Sequence, residues 1–134
     1  MTVNPCRLSI DRGPLAKAAL EGSPGALRSL TSELSQGRST SIALSTPGAS
    51  VVQEINASPL LTVAAGPGLT LHLSGSPSAL NLVWSALSGT AQDAEEATDR
   101  AVKRHTHIEY LGDGDRYRHP DSFPLVIGSD WPDP

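Results

Sequence analysis

The sequence predicts an α+β fold: two tandem β-α-β-β repeats forming one sheet of about six strands, with the helices packed on one face. Three observations predict it. Short runs of alternating apolar and polar residues recur in both halves. Each half carries Gly-Ser-Pro, in which Ser can cap a helix and Pro can be its first residue. Apolar residues spaced by three and four follow each of these signatures.

The elements follow in order. Cys6-Arg7-Leu8-Ser9-Ile10 alternates as a half-buried strand does, and Asp11-Arg12-Gly13 reads as a turn. Pro14 then opens a helix through Leu15, Ala18 and Ala19, which Gly22-Ser23-Pro24 interrupts and restarts. Leu27, Leu30 and Leu34 line one face of the second stretch, and Gln36-Gly37 ends it. Short strands are expected at 41–45, 51–55 and 59–65, separated by Pro47-Gly48 and closed by Gly66-Pro67-Gly68.

The second half opens on Leu69-Thr70-Leu71-His72-Leu73, the cleanest period-two strand in the chain. Ser76-Pro77 starts a helix whose seam runs through Leu80, Trp84, Leu87, Ala91, Ala94, Thr98 and Ala101, with a kink or break expected at Ser88-Gly89-Thr90. Glu96/Arg100 and Asp99/Lys103 are spaced as ion pairs on its outer face. Strands at 106–111 and 123–127 flank a polar loop, Gly112 to Pro120, and a Pro- and Asp-rich tail ends the chain.

This reads as a single domain, 1–134, with repeats at 5–65 and 68–128 and a tail at 129–134. Between 20–34 and 73–87, eight of fifteen positions are identical. That 53-residue offset sets the Ala-rich Leu15–Leu20 stretch opposite the strand Leu69–Leu73. An offset near 63–66 matches strand to strand, and is the preferred register.

Composition limits the function classes. The chain has 134 residues, 4% aromatic, with 10 basic against 14 acidic residues and a net charge of −4. No basic stripe is present, which argues against nucleic acid as a partner. No run approaches the roughly 18 apolar residues of a membrane span, and the first twelve residues have no secretory apolar core. The expectation is a soluble, cytoplasmic protein, monomer or homodimer, without a cofactor. The single cysteine, Cys6, continues the pattern of Leu8 and Ile10 and reads as a buried small hydrophobe.

The densest polar segment is His105-Thr106-His107-Ile108-Glu109-Tyr110. On a strand, His105, His107 and Glu109 share one face, about 7 Å apart in steps of two. Ile108 and Tyr110 look the other way, toward the helices. Asp113, Asp115 and His119 follow in the loop, and His72 lies on the polar face of its own strand. Three chemistries fit: a metal held by His105 and His107 with Glu109 or His119, a histidine base oriented by Glu109, or an open sheet face that binds a protein.

The segment 69–131 resembles a family of bacterial immunity proteins from polymorphic toxin systems. The resemblance is carried by Leu-His-Leu-Ser-Gly-Ser-Pro-Ser-Ala-Leu (71–80), His-Thr-His-Ile-Glu-Tyr (105–110), His119-Pro120-Asp121-Ser122 and Phe123-Pro124-Leu125-Val126-Ile127. The first half lacks the H-x-H-x-E element, with Ser41-Ile42-Ala43-Leu44 in its place. The resemblance implies a protein that neutralises a cognate toxin by direct contact, through an acidic face toward a basic or nuclease-like partner. His72, His105, His107, Glu109, Asp113, Asp115 and His119 are the candidate binding residues. The alternative is a small-molecule or metal-binding domain, or a small enzyme, using the same His-rich face.

Overall fold

The computed structural model describes residues 3–14, 16–98 and 103–131. The elements run β1 (Arg7–Asp11), β2 (Lys17–Gly22), α1 (Pro24–Leu34), β3 (Thr40–Ala43), β4 (Ala49–Ile55), β5 (Thr62–Ala65), β6 (Leu69–Gly75), α2 (Pro77–Glu96), β7 (Arg104–Ile108) and β8 (Leu125–Ser129). The α+β class holds, but the single six-stranded sheet does not. Two four-stranded sheets take its place, ordered β1-β2-β8-β7 and β3-β4-β6-β5. In each, the central pair is parallel and both outer pairs are antiparallel.

The difference begins at β2, which the sequence reading took for a helix. Ala18, Leu20 and Gly22 point inward and are buried, while Lys17, Ala19 and Glu21 face outward. Alanine is the strongest helix former, but intrinsic propensity yields to tertiary context, and pairing on both edges, with β1 and with β8, decides the matter. Leu15, also assigned to that helix, lies outside the described residues. Each half therefore runs strand-strand-helix-strand-strand rather than β-α-β-β. Exchanging β1 with β5, β2 with β6, β3 with β7 and β4 with β8 turns one sheet order into the other.

The helix starts show which register the structure follows. Ser23 Oγ accepts the Ala26 N–H (3.1 Å), and Ser76 Oγ accepts the Ala79 N–H (3.2 Å). These caps stand 53 residues apart, the offset that the sequence reading set aside. A Cβ on Gly22 would meet Ala26, and one on Gly75 would meet Ala79 at 2.9 Å. Gly75 also has φ 146°, a backbone that side-chain-bearing residues rarely adopt. The longer offset holds only at β3 and β7, where Ile42 answers Ile108; their pairing partners Val51 and Leu125 stand further apart in sequence than that offset allows.

α1 buries Ala26, Leu27, Leu30 and Leu34, and Gly37 (φ 75°) turns the chain beyond its end. α2 shows no break at Ser88-Gly89-Thr90. An added Cβ at Gly89 would meet nothing, and Thr90 Oγ1 donates back to the Ala86 carbonyl at 2.6 Å. α2 ends at Glu96, short of the expected seam residues Thr98 and Ala101. Asp99, Arg100 and Ala101 lie outside the described residues, and with them the two expected ion pairs. Lys103 pairs with Asp130, and Arg28 of α1 bonds to Glu95 of α2. β8 runs on through Gly128 and Ser129, so the strand takes in the first residue of the expected tail.

One core joins everything. The inner faces of both sheets meet α1 and α2, and the two helices pack against each other. Leu27, Leu30, Leu80 and Leu87 are fully enclosed, each contributing about 2 kcal/mol by burial. Cys6 is enclosed as expected, and burial pushes its thiol up to about 12. Two isolated bridges among the described residues lie beside the sheets. Asn4 bridges Leu44 beside β3, and Leu61 bridges Arg118 after β7. Arg12 Nη2 ties the two hairpin ends together by donating to the carbonyls of Gly66 (2.7 Å) and Gly68 (2.6 Å). No helix among the described residues is long and apolar enough to cross a membrane.

At the centre is Gln53, 1% exposed. Its Nε2 donates to the carbonyls of Leu34 and Arg38 (both 2.9 Å), and its Oε1 accepts Trp84 Nε1–H (2.9 Å). Gln53→Leu keeps the volume but leaves the Trp84 N–H and the Arg38 carbonyl without this partner. The expected loss is about 3 kcal/mol, read as a lower urea midpoint at unchanged slope. Trp84→Phe should lose less when combined with Gln53→Leu than when made alone. Additive losses would show that the two side chains act independently.

Candidate functional site

β7 sets the site. Thr106 and Ile108 turn inward, where Thr106 Oγ1 lies 2.6 Å from Thr90 Oγ1 of α2 and Ile108 is buried. Period two then sends His105 and His107 outward, as expected. Their rings meet edge-on, with centroids 5.4 Å apart. His105 Nδ1 lies 3.1 Å from the Lys103 carbonyl, which can only accept. Nδ1 is thus placed to donate to that carbonyl.

Register completes the surface. His105 pairs with Gly128 of β8, Gly128 with Glu21 of β2, and Glu21 with Arg7 of β1. His107 pairs in the same way through Val126 and Ala19 to Ser9. Small residues at the centre make a shallow trough of about 290 Å³, floored by Ala19, Val126 and Gly128. Lys17 and Glu21 stand on one side, and Lys103, His105 and His107 on the other. A Cβ at Gly128 would meet Glu21 Cγ at 3.2 Å, so the glycine lets Glu21 lie across the floor. At one end Asp130 accepts both Arg7 Nη1 and Nη2 (3.0 Å each) and Lys103 Nζ (3.0 Å). Arg7 first, then Lys103, holds its carboxyl below the usual range against partial desolvation.

This face is not the acidic one expected. Arg7, Lys17, Lys103 and Arg104 stand beside Glu21 and Asp130, and Asp93 and Glu96 of α2 lie next to Arg104 in an adjoining cleft. The other candidates separate from the histidine pair. His72 is on β6, between Val52 and Ala64, in the other sheet. Glu109 is exposed, one residue beyond β7, and does not line the trough. Tyr110 has also left the strand and is half-buried. Asp113 is exposed in the loop. His119 accepts the Asp121 N–H on Nδ1 (3.1 Å), with its backbone bonded to Leu61. Among the described residues no three His, Cys, Asp or Glu side chains come together to hold a metal, so the expected set of His105, His107 and Glu109 or His119 is not assembled.

Asp115 has a structural task. Its Oδ1 accepts the N–H groups of Tyr117 (2.9 Å) and Arg118 (3.1 Å), and its Oδ2 accepts the Leu111 N–H (3.1 Å) and Arg118 Nη1 (3.2 Å). The side chain is fully enclosed. These bonds, the Tyr117 N–H foremost, hold its carboxyl down to about 2. The sequence reading missed Lys17, Glu21 and Lys103. The signal for the first two was the alternation Lys17-Ala18-Ala19-Leu20-Glu21, masked by its alanines.

Residues 70–130 match the family described as Immunity protein 32. The matched segment takes in nearly all of β6 and the whole of α2, β7 and β8, and it supports the resemblance read from 69–131. No curated protein matches the chain, and no solved structure does.

Asp115 gives a pH prediction. Its folded pKa lies below the ordinary carboxylate value of about 3.9. Its contribution is therefore full above that value and is lost as pH falls from about 4 through about 2. Protection of the Leu111, Tyr117 and Arg118 amides, relative to an unstructured peptide at the same pH, should fall across that window. Asp115→Ala should show the lowered protection at every pH. Protection that is equal in the variant and the parent would remove Asp115 as the organiser of the loop.

Proposed function

We propose that this chain is an immunity protein, one that binds a cognate toxin in the bacterial cytoplasm and blocks it by direct contact. The match of residues 70–130 carries this reading, because it takes in β7, which bears both histidines, and β8 beside it. That face suits protein recognition. It is an open sheet surface with a small-residue floor, two imidazoles and fixed charges of both signs. Arg7 and Lys103 are already paired through Asp130, so a partner meets oriented side chains, which lowers the entropy lost on binding.

The partner suited to such a face is mixed in charge rather than strongly basic. His105 and His107 would be contact residues, with Lys17 and Glu21 beside them. Glu109 and Asp113 would lie at the rim, and His72 would lie outside.

The test is genetic. Deleting the gene in its native host should arrest growth during contact between sibling cells, and a plasmid copy should restore it. The variant His105→Ala/His107→Ala leaves the core untouched and should protect less well, at about 1 kcal/mol or more for each contact that matters. A deletion strain that grows like its parent under the same contact would sink the proposal.

A further inference from the structure

The two halves share one backbone plan, so their differences are informative. Residues 44–48 connect β3 to β4, but residues 109–124 connect β7 to β8. Connections of this second length without helix or strand are uncommon in compact domains and are usually functional. This one is held firmly. Asp115 gathers three of its N–H groups, Leu61 N–H donates to the Tyr117 carbonyl (2.8 Å), and His119 N–H donates back to Leu61 (2.8 Å).

Against that fixed backbone, two large apolar side chains project into solvent. Leu111 is 73% and Tyr117 64% exposed, two of the three exposed large hydrophobic residues among those described. Leu82 of α2 lies beside both. A cleft of about 530 Å³ runs between Leu82, Leu111, Tyr117 and Arg118, and a second of about 390 Å³ between Pro59, Leu82, Arg116 and Tyr117. Of the charged residues lining the clefts, Arg118 is paired with the enclosed Asp115, which leaves Arg116, exposed, as the charge offered to a partner.

We infer that this loop is the anchor of the protein contact: Tyr117 and Leu111 receive an apolar side chain flanked by a carboxylate on a different protein, with Arg116 meeting the carboxylate. Tyr and Arg on a preformed loop are the residue types that dominate interface energetics. A second copy of this chain fits less well, because a twofold contact centred on Tyr117 would bring like arginines together. The partner's role as a toxin rests on the reading above. The place of contact rests on the loop alone.

The test uses living cells of the native host, with p-benzoylphenylalanine at position 117 and, as control, at position 41 on the other sheet. The expected result is an adduct at 117 and not at 41, joined to a peptide of another protein that carries Asp or Glu beside apolar residues. Arg116→Glu should reduce the adduct about 10-fold, and Arg116→Lys should restore it. Leu111→Ser/Tyr117→Ala, whose thermal unfolding should match the parent, should weaken binding of the captured protein by about 30-fold, as for a truncated hot spot. No adduct at 117, an adduct only with a second copy, or one indifferent to Arg116→Glu overturns the inference. If the adduct forms as expected but deletion leaves growth intact, the immunity reading falls and the surface stands. If deletion arrests growth while Leu111→Ser/Tyr117→Ala protects fully, the surface falls and the immunity reading stands.

Discussion

Gln53 is a primary amide sealed inside an apolar interior, and its three bonds fix three elements at once. It sits on β4, holds the carbonyls of Leu34 and Arg38 at the end of α1, and accepts the Trp84 N–H from α2. An enclosed amide is costly unless every group is paired, so this arrangement tolerates little sliding of one element against another. The constraint reaches the surface in a few steps. Trp84 places α2, Thr90 of α2 places Thr106, and Thr106 facing inward obliges His105 and His107 to face outward. A one-residue slip of β7 would turn both histidines into the core. The chemistry of the histidine face is thus set from the centre of the molecule.

The pairing of the strands bears on the family match. The matched segment contains β6, α2, β7 and β8, yet it cannot close either sheet by itself. β6 lies between β4 and β5, and β8 lies between β2 and β7. The residues before 69 therefore supply β4 and β2 as parallel neighbours, and with β2 they supply Lys17, Ala19 and Glu21 to the trough. A third of the residues lining the trough, three of nine, thus come from a strand outside the matched segment.

Local physics was legible in the sequence. The alternation of β1 and β6, the Ser-Pro starts at Ser23 and Ser76, the turns at Gly37 and Gly48 and the facing of His105 and His107 all follow from side-chain period and cap chemistry. What failed depended on partners distant in sequence. β2 is a strand because β1 and β8 flank it, and nothing within Lys17–Gly22 announces β8 more than a hundred residues later. The true register at the helix caps was visible as eight identities in fifteen, but the misread β2 made it look wrong. Gln53 looked like one more polar residue in a short strand. Its role requires the ends of α1 and α2 to meet it, and period alone cannot bring them there. Asp115 had the residue type of a binding group, but its neighbours' N–H groups claimed it.

The two sheets also show why the backbone plan alone says little about function. On the outer face of the second sheet, one row reads Ser41, Val52, His72, Ala64 and the next Ser50 and Thr70, with Glu54 as a charge at the edge. On the first sheet the corresponding surface reads Arg7, Glu21, Gly128, His105 and then Ser9, Ala19, Val126, His107. A charged face is the costlier one to cover, since each ion that loses water must be repaired by a partner group. That cost makes it the more selective: a wrong partner leaves charges stranded, whereas the neutral face would accept many surfaces about equally. The Asp130 pairing with Arg7 and Lys103 lowers the cost by arranging part of the charge beforehand. Under the proposed reading, selectivity would belong with the sheet that carries the histidines, and Leu111 and Tyr117 of the loop leaving β7 would add affinity by apolar burial.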